Sequence, residues 1–317
     1  MKKKRSFLNF LSLLLLVLFL FALSGCEVLA KTLVYPNRQP VVKTPQDYGM
    51  KFENITVKSD DNVNLKGWVI PGKNDSLCII THPMNFTKYG YSVKNQGKFK
   101  VSDIEVEFLK TAKILNDLGH SVLTFDFRNH GESDKGSDGI TGVGLNEWSD
   151  VLSVLDFVNN TKDLKDKKIF FLSYCMGANS TIIAYYKNKE KFANVRFFIL
   201  VQPISMDVFV DSYINSEFPI LKGLIPTIEK KCVELGGFEF KKMSPYEYCE
   251  NLDLPVLFVQ AKSDKWTKLS DIESFYEKAA GYKETFYIEG KMHRFDTYNY
   301  FSSNPERMIR FINERLR

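Results

Sequence analysis

The chain has 317 residues, 44% of them hydrophobic and 26% charged, with a formal net charge of +5. Those proportions exclude a disordered or low-complexity chain, and the length suits one large α/β domain with insertions. The positive charge is spread over many lysines, several in the first five residues, and forms no patch of the kind that binds nucleic acid.

The N-terminus reads MKKKR, then FLNFLSLLLLVLFLFAL, then small residues, which is the basic, apolar and cleavable order of an export signal over residues 1–26. Leu23-Ser24-Gly25-Cys26 resembles the lipobox of bacterial lipoproteins. The resemblance implies a lipid on Cys26 and a place on the extracytoplasmic face of a bacterial envelope. The apolar run also approaches the ~18 residues of a membrane span, so an uncleaved anchor is the alternative. Residues 27–50, with Pro36, Pro40 and Pro45, read as a tether, and residues 51–317 as the folded domain.

FENITVKS and VNLKGWVIP flank Ser59-Asp60-Asp61-Asn62 and predict a hairpin. Six apolar runs follow: SLCIITH, SVLTFDF, KIFFLSY, RFFILVQ, PVLFVQA and ETFYIEG. Runs of this kind suit strands buried on both faces of a parallel sheet. Helical spacing separates most of them. Ser102 and Glu105 read as a capping box before Phe108, Ala112, Leu115 and Leu118. Trp148, Val151, Leu152, Leu155 and Val158 repeat the pattern, Ser270 and Glu273 cap another helix, and Asn304-Pro305 opens a last one with Met308, Ile309, Ile312 and Leu316. The expected fold is α/β, a mostly parallel eight-stranded sheet flanked by helices. Two connections are long: 85–101, and 206–248, whose aromatic residues suggest a small cap over the carboxyl ends of the strands.

Of the five cysteines, Cys78 lies in an apolar strand and reads as packing; Cys232 and Cys249 are free to pair in an oxidising compartment, which their spacing does not decide. No spaced His/Cys cluster suggests a metal, and no cofactor is required.

Ser173-Tyr174-Cys175-Met176-Gly177 stands between the strand KIFFL and the helical STIIAYYK, and Asp126-Phe127-Arg128-Asn129-His130-Gly131-Glu132-Ser133 follows an earlier strand. The first resembles the G-x-S-x-G elbow, and the second the D-x-R-G-x-G-x-S segment, of the α/β-hydrolases, over the chain from about residue 52 to its end. Cysteine at the elbow has precedent in dienelactone hydrolases, and a helix N-terminus favours a reactive thiolate. The resemblance implies Cys175 as nucleophile, His293 after the last strand as base and Asp264 as the orienting acid, with Asp207 the rival acid. It implies an oxyanion site from the N–H groups of Met176 and Met84, because Pro83 has none, with Asn85 in reserve. The implied activity is hydrolysis of a small-molecule ester, lactone or thioester through an acyl-cysteine. Acyl transfer by the same residues and a lipid-tethered binding protein without turnover are the alternatives.

Overall fold

The computed structural model describes residues 24–94 and 102–317. Most of the predicted export signal and the end of the first long connection lie outside the described residues.

All eight strands expected from the apolar runs form: β1 (Glu53–Lys58), β2 (Asn64–Ile70), β3 (Ser76–Thr81), β6 (Ser121–Phe125), β7 (Lys168–Tyr174), β8 (Val195–Val201), β9 (Val256–Ala261) and β10 (Lys283–Ile288). A two-residue pair, β4 (Gly90–Tyr91) and β5 (Val106–Glu107), stands apart from them. Among the described residues the eight make one sheet in the order β1-β2-β6-β3-β7-β8-β9-β10, parallel from β6 to β10 and antiparallel at the hairpin β1-β2. Every residue of β3 and β9 is buried, as two-sided coverage requires. The order places the carboxyl ends of β3, β7, β8 and β9 side by side along one edge.

The covering helices are α2 (Phe108–Asp117), α3 (Trp148–Asn160), α4 (Met176–Lys187), α7 (Leu269–Lys278), α8 (Arg294–Ser303) and α9 (Glu306–Leu316). Phe197 of β8 stacks on Phe170 of β7 at 5.0 Å and meets Phe311 of α9 edge-on at 5.4 Å, which locks the last helix to the sheet. The predicted capping box is replaced. Glu105 instead accepts from the Tyr89 hydroxyl (2.7 Å) and the Val93 N–H (2.8 Å), and the extended β5 delays α2 to Phe108.

Residues 27–50 do not lead away from the domain. Residues 24–34 form helix α1, whose Cys26, Ala30 and Val34 are buried in the core. Their i, i+4 spacing makes an apolar stripe, which is better buried than hydrated. The chain then binds the body at each step. Thr141 donates its N–H to the Val34 carbonyl (2.9 Å), Asn37 its N–H to Asn85 Oδ1 (2.7 Å), and Arg38 reaches the Ser133 carbonyl (2.6 Å). Cys232 and Cys249 are free thiols, each buried and pushed up to about 12 by that burial.

The segment from Asp126 to Ser133 is an internal scaffold. Asp126 holds the buried Lys88 ammonium (2.6 Å) and the N–H groups of Lys88 and Glu132, and Lys88 also lies over the Trp68 ring. Arg128 spans Asp150 (2.7 Å) and Asp61 (2.8 Å). A Cβ at Gly131 would fall 2.3 Å from the Asp126 carboxyl carbon, so that loop position admits only glycine.

Lys88→Met should destabilise the protein by about 3–5 kcal/mol in urea unfolding, because Asp126 is then buried without its cation; a loss below about 1 kcal/mol would show that the pair is not desolvated. His120, bonded to Ser76 Oγ (2.6 Å), is pushed below its usual pKa by burial. Its contribution to stability is therefore present above about pH 6.5 and lost as pH falls toward the folded value. The drop in Tm from pH 7.5 to 5.5 should be smaller in His120→Gln than in the parent chain.

Candidate active site

Between β7 and α4 the backbone turns through Cys175 at φ 48°, ψ −114°, a strained conformation for any residue with a side chain. It is over-determined by its surroundings. The Cys175 N–H donates to the Val201 carbonyl (2.9 Å), and its own carbonyl accepts from the Asn179 N–H (3.0 Å). A Cβ at Gly177 would lie 2.5 Å from Thr81 Oγ1, so α4 can approach β3 only with glycine there. Ser173, in place of the first glycine, is accommodated with its hydroxyl on Thr181 Oγ1 (2.9 Å). Cys175 thus faces a cavity above the strand ends, while Cys78 is sealed within the sheet and pushed well above the usual thiol range by burial.

The loop after β3 is set by His82. Its Nε2 accepts the Phe127 N–H (3.1 Å), so Nδ1 carries the proton and donates to the Pro83 carbonyl (2.7 Å). Burial holds this ring well below its usual pKa, which keeps it neutral. The loop brings Met84 to the cavity wall beside Cys175. Among the described residues, neither the Met84 nor the Met176 N–H has an acceptor, and the Met176 thioether turns away toward the Thr141 hydroxyl (3.5 Å). Asn85 spends its side-chain oxygen on Asn37.

Asp264, in the loop after β9, is buried, and four donors converge on it: Trp266 N–H (3.0 Å), Gln202 Nε2 (2.9 Å), Thr267 Oγ1 (2.9 Å) and the Arg294 guanidinium (2.5 Å). His293 is not among them. Its Nδ1 accepts the Phe295 N–H (3.2 Å), and its ring packs edge-on against Trp266 at 4.9 Å. With Nδ1 so occupied, the neutral ring carries its proton on Nε2, the wrong tautomer for taking a proton there. Burial pushes His293 below its usual pKa, against Asp296, Asp264 and Glu217, which raise it. The structure therefore joins Asp264 to Arg294, and leaves His293 beside the pair. Asp207, in the first turn of α5 (Met206–Glu217), is exposed and takes no part.

Arg294 holds the centre of the site. Its Nε–H donates to the Tyr298 hydroxyl (2.7 Å), one Nη to Asp264 and the other to the Gln202 carbonyl (2.9 Å), and Arg294 and Tyr298 line the cavity together with Cys175. Burial opposes the guanidinium charge, but Tyr298, Asp264 and Cys175 outweigh it and push the arginine further up. Burial first, with Cys175 and Asp264 adding to it, raises Tyr298 well above the usual phenol, so it stays a donor. Arg294 and Tyr298 are i and i+4 on α8, directly after His293; that spacing was present in the sequence but is outweighed there by the histidine that the motif requires.

The cavity itself is small, about 100 Å³, and mostly apolar, walled by Met84, Phe86, Phe209, Tyr213, Trp266 and Phe295 around Cys175 and Arg294. The insertion between β8 and β9 supplies Met206, Phe209 and Tyr213 from α5, while its helix α6 (Ile225–Glu234) lies farther along the chain. Trp266 ties this insertion to the acid loop through Glu217 Oε1 (3.0 Å). Among the described residues, no group of three or more His, Cys, Asp or Glu side chains converges as a metal would require.

No family model matches the chain. It is 26% identical to the protein YqkD of Bacillus subtilis over 187 residues, 58% of this chain and 59% of YqkD, so the match spans less than two thirds of that relative. It is 23% identical to YfhR of Salmonella typhi over 89% of this chain and 87% of YfhR. Among solved structures, the Pyrococcus furiosus esterase Pf2001 superposes with a TM-score of 0.68 at 21% identity, covering 90% of this chain and 97% of the esterase. The chain has the α/β-hydrolase fold.

Arg294→Met should cost about 3–5 kcal/mol in urea unfolding by stranding the buried Asp264, and adding Asp264→Asn should recover part of it. Strict additivity of the two would show that they do not form a pair.

Proposed function

We propose that the protein is a thiol-dependent acyl hydrolase of small apolar esters, lactones or thioesters, with Cys175 as nucleophile. The observation that carries this is the strained Cys175 corner at the N-terminus of α4, facing an apolar cavity that Arg294 also lines. The likeness to an esterase fold agrees with it. In this reading Arg294, held by Asp264 and Gln202, supplies the positive charge beside the thiolate, the part a histidine plays in a Cys-His-Asp triad.

The thiolate adds to the substrate carbonyl, forming the C–S bond. The N–H groups of Met84 and Met176 receive the oxyanion. Collapse breaks the bond to the alcohol or thiol, which leaves with a proton from solvent. Water then adds to the acyl-cysteine, the C–S bond breaks, the thiolate is restored, and carboxylate and two protons are released, one of which balances the proton taken up by the leaving group. Because thiolate is itself a good leaving group, activated acyl donors are favoured over peptides. Interception by an alcohol or amine in place of water gives the transferase variant.

A second reading, a binding protein without turnover, has its own observation: Asp264 is fully engaged by Arg294, Gln202, Thr267 and Trp266, and no side chain near Cys175 is set to activate water. We also propose attachment to a bacterial envelope through residues 1–26. Cys26 is buried where α1 meets the domain. A lipid on its sulfur requires the first turn of α1 to lift from that surface, whereas an uncleaved anchor requires no such change.

Iodoacetamide should alkylate Cys175 before Cys78, Cys232 or Cys249, and hydrolysis of p-nitrophenyl acetate should fall in proportion. Hydrolysis that persists with Cys175 fully alkylated would remove the thiol from the mechanism; alkylation with no hydrolysis of any activated ester would favour the binding reading. Arg294→Gln should slow alkylation by about tenfold or more and His293→Ala by much less; the reverse order would return the histidine to the thiol.

A further inference from the structure

One side of the cavity is closed by residues that precede the domain in sequence. Leu29, Thr32 and Leu33 of α1 line it, as does Cys175, around a space of about 100 Å³. They sit beside the buried stripe Cys26, Ala30 and Val34, so the register of α1 is fixed by its core face and the three lining residues have no freedom to rotate away. Thr32 donates its hydroxyl to the Val28 carbonyl (2.9 Å), which satisfies its polar group within the helix. The outer face carries the Glu27–Lys31 ion pair and exposed Val28. The Cys232 thiol under the Ala30 carbonyl and the Thr141 N–H on the Val34 carbonyl hold the helix to the body.

We propose that α1 is a wall of the substrate pocket and that Leu29 and Leu33 set the length of the acyl group that reaches Cys175, restricting it to short apolar chains. The chemistry of the substrate rests on the functional reading above; the wall does not. A leucine side chain in a closed apolar pocket discriminates by size, because each methylene that has no room must displace packed atoms.

The test reads thiol chemistry, which needs no turnover. Alkyl methanethiosulfonates react with Cys175 by attack of its thiolate on the alkyl-bearing sulfur: the new S–S bond forms, the S–SO2 bond breaks, and methanesulfinate leaves with the electron pair. Rates with the methyl and hexyl reagents are measured on the full chain in phospholipid nanodiscs, by mass spectrometry of the Cys175 peptide. The hexyl-to-methyl ratio should rise about tenfold in Leu33→Ala and fall by a similar factor in Leu33→Trp. Val28→Ala, on the outer face of the same helix, should leave it unmoved. A ratio unchanged in both Leu33 variants, or a Cys175 that reacts with neither reagent, overturns the proposal. If the ratio shifts as expected while no ester is hydrolysed, the wall stands and the hydrolase reading falls.

Discussion

The buried guanidinium of Arg294 is the constraint on which the site depends. It comes from the first residue of α8, yet it is bonded to Gln202 at the end of β8, to Asp264 after β9 and to Tyr298 one turn along its own helix, and it lines the cavity that Cys175, after β7, also lines. A single cation thus fastens two adjacent strand ends, those of β8 and β9, to the helix that follows the last strand. Taking such a charge out of water is costly unless its donors are satisfied, and here the satisfied donors are also the ones that arrange the cavity. The fold and the site therefore share one electrostatic centre.

In the proposed reading, that arrangement changes what the nucleophile needs. A serine hydroxyl requires a neighbour to remove its proton, so a base in the correct tautomer is indispensable. A thiolate requires a compensating charge, which an arginine provides without titrating. His293 has its Nδ1 bound to the Phe295 N–H and its ring against Trp266, close to the machinery without being part of its hydrogen bonds. Arg294 is bonded to Asp264 and shares the cavity with Cys175.

The N-terminal segment belongs to the domain it precedes. The residues between the apolar leader and the first strand bind the domain as α1 and a strap across Asn85, Ser133 and Thr141. Met84 and Pro83, on the far side of Asn85, belong to the loop set by His82. Helix α1, the strap after it and the loop that carries Met84 are connected by a few hydrogen bonds.

Strand identity was legible in the sequence because runs such as SLCIITH and PVLFVQA have no polar face to expose, and burial on both sides is the only inexpensive solution. The elbow was legible for a related reason: the close approach of α4 to Thr81 leaves room for glycine at 177 and a strained turn at 175, and those demands mark the local sequence. Local pattern was not enough elsewhere. The stripe Cys26, Ala30, Val34 was visible, but three prolines after it and an export signal before it argued for a tether, and only the surface it lands on makes that stripe a helix face. Likewise His293 and Arg294 are neighbours in sequence, and either could have turned inward. Which one meets Asp264 was decided by the start of α8, where the Phe295 N–H takes the imidazole and the guanidinium alone has the length and the donors to bridge Gln202, Asp264 and Tyr298 at once. Spacing along the chain fixes which residues can reach a site; the competition among buried hydrogen-bond partners, which exists only in three dimensions, selects the ones that do.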